Sequence, residues 1–241
     1  MTMLLAMAAL AGQVALATPP PVRRGLAAYP RIARPATAAA RRINAAVARL
    51  DVRVRVADRE CRTDSVNPTS WTRSVAVPMR GPDFLAYVVA DEVDCGGAHP
   101  SAGHAAIVYD LVTGAPVDWV RLLGARLAGT PTLTTGPDGV RVVTLDSPRL
   151  RALYAARYDA AARAQGSPAE CLGIGDGDGF IQPMLAWPDA GAGGLVLQFD
   201  LNHAMQACST AVVIPAAVLQ REGAGRRLID ALTIGRRGAG R

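Results

Sequence analysis

Apolar and polar positions alternate most clearly between residues 71 and 111. "WTRSVAVPM" (71–79) puts Trp71, Arg73, Val75 and Val77 on one face, the two-residue period of a strand. "RGPD" (80–83) supplies turn chemistry, and "FLAYVVADEV" (84–93) is apolar nearly throughout, which predicts a central strand. "HAAIVYDL" (104–111) predicts the next strand, closed by a turn at Thr113-Gly114. These strands recur at hairpin distance with no helix between them, so the pattern implies an antiparallel meander.

Upstream the period changes. Between Ala36 and Leu50, the residues Ile43, Val47 and Leu50 are spaced i, i+4 and i+7, with Arg41, Arg42 and Arg49 elsewhere on the wheel. That spacing predicts an amphipathic helix. "DVRVRVAD" (51–58) then alternates Val52, Val54 and Val56 against Arg53 and Arg55, which reads as a half-buried strand. Downstream, Ser147-Pro148 offers a hydroxyl cap and a first-turn proline to a second helix, with Leu150, Leu153, Tyr154 and Tyr158 on one side through about Arg163. Strands are expected at 180–187, 195–201 and 209–215, then a short helix at 216–220. The predicted fold is α+β, an antiparallel sheet with two main helices packed on it. The Gly- and Arg-rich tail, 221–241, is expected to be weakly ordered, although "RRLIDALTI" could form a turn or two of helix.

The chain has 241 residues, 50% of them hydrophobic, enough for one sizeable core. Aromatics make up only 5%, so Ala, Val and Leu must fill most of it. All 26 basic residues are Arg, and the formal charge is +6. The charge is uneven: residues 18–60 carry +7, residues 61–220 carry −5 and residues 221–241 carry +4. The ends could be solvated Arg-rich segments or could touch anionic lipid or wall polymer, while the acidic middle suits a basic partner.

Residues 1–17 carry no charge, contain an apolar run from Met3 to Leu10, and end in the small-x-small triplet Ala15-Leu16-Ala17. Thr18-Pro19-Pro20-Pro21 stops any helix there, and the stretch is short for a membrane span. This reads as a cleaved secretory signal, followed by a Pro-rich lead-in over 18–28. An n-region without Lys or Arg leaves an uncleaved anchor as the alternative. Cys61, Cys95, Cys171 and Cys208 form an even set without a CxxC, as in an exported disulfide protein. Three connectivities are possible. Cys61–Cys95 and Cys171–Cys208 are expected because each pair falls within one local supersecondary unit. A periplasmic or secreted location follows from signal and cysteines together.

Catalytic signals are sparse. His99 and His104 are five residues apart, which fits neither a helix face nor one face of a strand, and His203 is the remaining histidine. No metal or cofactor is expected. GxSxG, HExxH and the Cys–His signature of a thiol enzyme are all missing from the sequence. "GDGDGF" (175–180) has Asp176 and Asp178 between glycines but lacks the remaining ligands of a calcium loop, so it reads as a surface turn. The Arg clusters lack the interleaved aromatics of a nucleic-acid groove.

The stretch "GGAHPSAGHAAIVYDLVTGAPVDWVRLL" resembles the signature of the extracytoplasmic domain family found in the lysozyme-sensing anti-sigma factor RsiV and beside peptidoglycan deacetylase domains. The matching residues are Gly96, Gly97, Ala98, His99, Asp110, Leu111, Thr113 and Gly114. "YPRI…RRIN" (29–44) is similar to the family's entry strand and first helix, and "LVLQFDLNHAMQACSTAVVIPAAVL" to its closing strands, with Ala207-Cys208 replacing an aromatic-Gly approach. The resemblance covers residues 29–220 as a single α+β domain. It implies a binding function without carrying over the partner; the −5 balance of residues 61–220 makes an envelope protein such as a lysozyme-like hydrolase, or a wall glycan, the expected one. The motif residues are then structural: Gly96 and Gly97 turn the chain into its strand, and His99 holds that turn by a hydrogen bond. The alternative is a wall-polymer hydrolase using Asp110 with His99 or His104.

Overall fold

In the computed structural model, the structure describes residues 12–65, 67–97, 99–135, 139–173, 183–199, 201 and 203–239, with the backbone alone at 203, 204 and 236–239. Two short strands, β1 (Leu16–Ala17) and β2 (Arg31–Ile32), pair antiparallel along the entry to the domain. The helix α1 (Ala38–Thr63) follows, its first turn capped by the Thr37 side chain, which accepts from Ala40 N.

The expected strand at 51–58 does not form, because α1 runs unbroken through it. Its buried positions are Ile43, Val47, Asp51, Val54 and Asp58, a helical series in which two members are acids. Val52 and Val56 of the apparent alternation point to solvent. Asp51 accepts from Tyr29 N at 3.1 Å and pairs with Arg31, while Asp58 pairs with Arg23 and Arg62. The Asn44 amide bonds both Ile32 N and Ile32 O, at 2.8 and 2.9 Å. The inward polar groups of α1 therefore bind the segment from Arg23 to Ile32, so the end of the lead-in packs with the domain: Leu26 and Tyr29 are fully buried.

The expected meander is present as β3 (Ser70–Arg80), β4 (Phe84–Asp94) and β5 (Ser101–Asp110), with β4 central. Phe84 through Tyr87 are fully buried, which accounts for the continuous apolar run. One face of β3 and β4 carries a buried polar knot. Arg73 Nη1 donates to Asp91 Oδ2 at 2.8 Å, Trp71 Nε1 donates to Asp91 Oδ1 at 2.9 Å, and the Arg73 guanidinium stacks on the Tyr29 ring.

The chain then adds two short helices, α2 (Trp119–Leu123) and α3 (Ala125–Ala128), before a second antiparallel sheet, where the pattern predicts a single one. Its strands are β6 (Thr130–Thr135), β7 (Arg141–Asp146), β8 (Met184–Asp189), β9 (Gly194–Phe199) and β10 (Val212–Pro215), in the order β10-β9-β8-β7-β6. Contacts of β5 with β7 and β8, and of β4 with β8, bring the sheets together. The helix α4 (Pro148–Gln165), capped by Ser147, covers the second sheet: Tyr154 and Tyr158 donate their hydroxyls to Thr210 O and Cys208 O. The fold class is α+β as expected.

Both expected disulfides are formed. Cys61–Cys95 joins the end of α1 to the end of β4, and Cys171–Cys208 joins the segment after α4 to the approach to β10. Each closes a loop worth about 3–4 kcal/mol on the chain-entropy account.

The C-terminal segment also differs from expectation. After α5 (Ala216–Arg221), residues 226–239 form the helix α6 (Arg226–Ala239). Leu228, Ile229, Ala231 and Leu232 are buried, and Gly235 packs where an added Cβ would lie 2.8 Å from Ala190 Cβ. The density of Arg masks this apolar stripe in the sequence.

Candidate functional site

The family-like motif is split between the two ends of β5. At the beginning, Gly96 has φ +75°, and an added Cβ would meet Ser65 Oγ at 1.9 Å, so the position requires glycine. The turn is held by Asp94 Oδ1, which accepts from Gly96 N at 2.9 Å, and by Asn67 Nδ2, which donates to Gly96 O at 3.1 Å. Gly97 is exposed. His99, expected to hold this turn, is exposed and makes no hydrogen bond among the described residues. Asn67 does the work instead, from a loop with no periodic signal. Ala98 lies outside the described residues.

At the far end, Asp110 organises the Leu111–Gly114 turn. Its Oδ1 accepts from Val112 N at 2.8 Å and Thr113 N at 2.9 Å, and its backbone carbonyl accepts from Gly114 N at 2.7 Å. Gly114 has φ +74°, and its missing side chain admits α1, since an added Cβ would lie 2.5 Å from Ala39 O. The second carboxylate oxygen of Asp110 pairs with Arg227 of α6. Arg227 also donates to Asp83 Oδ1 at 2.9 Å and stacks on the Phe84 ring, 5.0 Å from its centroid. Partial burial pushes the Asp110 carboxyl up, but the bonds from Arg227 and from the Thr113 and Val112 amides outweigh it and hold the group below the usual carboxylate range. Arg227 is raised by the same hydrogen bond, which it donates to Asp110, against partial desolvation and with help from Asp83.

This corner opens into a cleft of about 310 Å³ between the Asp110 turn, α2 and the start of α6. Asp118 caps α2 by accepting from Arg121 N at 3.0 Å, and Gly225 N donates to Leu122 O at 2.7 Å. Arg121 and Arg226 stand at the exposed edge. The cleft offers cations to an anionic group, while its one deep acid is already occupied. Arg227, Asp83, Arg121 and Arg226 were not found by sequence reading, because Arg227 meets Asp110 across 117 residues of chain.

The pairing that a hydrolase would need is not assembled. His104 lies on β5 six residues before Asp110, about 20 Å along the strand, and His99 lies farther still. His104 is partly buried, and the desolvation lowers its pKa from the ordinary 6.5. Its Nδ1 has no partner among the described residues. Nearby, Gln206 Nε2 donates to Ala102 O at 3.1 Å, from a 3₁₀ turn that also carries the backbone of His203. Asp176 and Asp178 lie outside the described residues. Among those described, no group of three or more His, Cys, Asp or Glu side chains could hold a metal ion.

No family model matches the chain, and no curated protein matches it. Among solved structures, the chain is similar to the crystal structure of a DUF3298 family protein from Pseudomonas aeruginosa PAO1, with 16% identity and a TM-score of 0.43 over 80% of this chain and 74% of that one.

Proposed function

We propose that the chain is an exported, non-catalytic binding module of the bacterial cell envelope. The observation that carries this reading is the state of Asp110. Both its oxygens are engaged, by two turn amides and by Arg227, and neither His104 nor His99 lies within proton-transfer distance of it. A general acid must hold a proton to give and a general base must be free to take one up, whereas Arg227 and the two turn amides hold this carboxylate as an anion engaged in the fold.

Export is supported by the apolar run Met3–Leu10 and by two disulfides, which belong to an oxidising compartment, although Leu16–Ala17 pair with β2 in the fold, against the expected cleavage after Ala17. The RsiV-like motif supports binding as the activity. The partner is an envelope protein, a lysozyme-like hydrolase in the first place, or a wall glycan. The −5 balance of residues 61–220 suits the basic surface of such hydrolases. Because α1 presents arginines outward, a basic partner would approach away from that helix.

The test is surface-immobilised binding of the purified protein to an animal-type lysozyme and, separately, to soluble peptidoglycan fragments, at low and at physiological salt. Saturable binding to lysozyme that weakens with salt supports the reading. Saturable binding to the fragments alone assigns the glycan. Binding to neither overturns it.

A further inference from the structure

The outward face of α1 is the most lopsided surface of the protein. Arg41, Arg42, Arg49, Arg53, Arg55 and Arg59 are all exposed there, and among the described residues none of them is in an ion pair. By contrast Arg23, Arg31, Arg62, Arg73, Arg149 and Arg227 are all paired with acids. The helix's own acids do not offset the outward charge. Asp51 and Asp58 face inward and are taken by Arg31, Arg23 and Arg62, leaving only Glu60 on the exposed side.

This face is not simply a solvated one. Val52 and Val56, at i and i+4, are 52% and 44% exposed. At 100° per residue they fall on the crest, opposite the buried line of Ile43, Val47 and Val54, with Ala45 and Arg49 beside them. Arg42 and Arg53 flank the crest on one side, and Arg41, Arg55 and Arg59 on the other. With 26 residues the helix is about 39 Å long, a convex rod with an apolar ridge between two rows of guanidinium groups.

We propose that this face of α1 docks on an anionic phospholipid surface. The arginines would lie at the level of the phosphates, each able to bond a phosphate through two N–H groups, while Val52 and Val56 enter the boundary between headgroups and acyl chains. The geometry favours a bilayer over a polymer chain. A threaded glycan or polyanion is held in a groove, generally against aromatic rings, whereas this face is convex and α1 contains no aromatic residue. The attachment would be peripheral, since among the described residues no helix is long and apolar enough to cross a membrane. This docking surface stands independently of the partner proposed above.

Vesicle co-sedimentation of the whole protein tests it. The protein should pellet with vesicles of phosphatidylglycerol and phosphatidylcholine in equal parts and stay in solution with phosphatidylcholine alone. Arg49→Gln with Arg59→Gln should weaken binding about 25-fold, about fivefold for each charge. Val52→Ser with Val56→Ser should weaken vesicle binding severalfold while leaving any binding to soluble polyphosphate unchanged. All four side chains are exposed, so unfolding temperatures should match the wild type, and this is checked on the same samples. Equal sedimentation with both vesicle types overturns the proposal. So does undiminished vesicle binding by the valine variant, which would assign the face to soluble polyanions.

Discussion

Asp51 accepts the backbone N–H of Tyr29 at 3.1 Å, so a helix residue anchors the entry segment 22 positions earlier in the chain. The same carboxylate pairs with Arg31, and Tyr29 itself sits fully buried against Tyr87, with ring centroids 5.4 Å apart. Removing the carboxylate would leave a buried amide without its acceptor and Arg31 without its acid. Asp51→Ala is therefore expected to destabilise the fold by about 2–3 kcal/mol, with Asp51→Asn costing less because it retains one acceptor. Thermal unfolding of both variants checks the order. An Asp51→Ala protein as stable as wild type would show that the entry segment is held by other contacts.

The C-terminal helix makes a second demand. Truncation after Gly225 removes buried Leu228, Ile229 and Leu232 and takes Arg227 from Asp83 and Asp110. Each buried aliphatic side chain contributes about 1.5–3 kcal/mol, so the loss should be on the order of 5 kcal/mol. Circular dichroism melts should show a strongly lowered or uncooperative transition. A truncated protein melting like the full chain would restore the view of this segment as a loose tail.

His104 gives a pH dependence with a defined sign. Burial lowers its pKa below 6.5 in the folded state, so the unfolded chain binds the proton first as pH falls. Above about pH 7 both states are neutral and the group has no effect. Stability is lost as pH falls through 6.5, and the loss is complete once pH passes the lower folded-state value. The unfolding midpoint should drop between pH 7 and 5, and the part of the drop due to His104 should vanish in His104→Gln. An identical profile in the variant would contradict the assignment. The Asp110 contribution falls in a separate window, disappearing only as pH drops below the ordinary carboxylate range.

The sequence pattern was most legible where one element has one apolar face or is buried on both. The meander of β3 to β5 and the capped, tyrosine-bearing α4 follow directly from it. It misled in α1 because Asp51 and Asp58 occupy buried helical positions while Val52 and Val56 face out, which copies the alternation of a strand. It was silent over residues 115–146. There α2 and α3 are a single turn or so each, and β6, Thr130–Thr135, has no buried side chain to mark a face. The disulfides were readable from locality. At the site, the turn role of Asp110 could be anticipated from its place before Thr113-Gly114. Its partner could not, because no local spacing links Asp110 to Arg227.

The account rests on Asp110 being a structural carboxylate. The direct measurement is peptidoglycan turnover by purified wild type and Asp110→Asn, with the unfolding temperature of each recorded alongside. No release of soluble fragments by either protein is expected, and the variant should lose about 1–2 kcal/mol of stability with the Arg227 ion pair, seen as a lower unfolding temperature. Turnover by the wild type that is lost in Asp110→Asn at unchanged stability would contradict it and make Asp110 a catalytic acid.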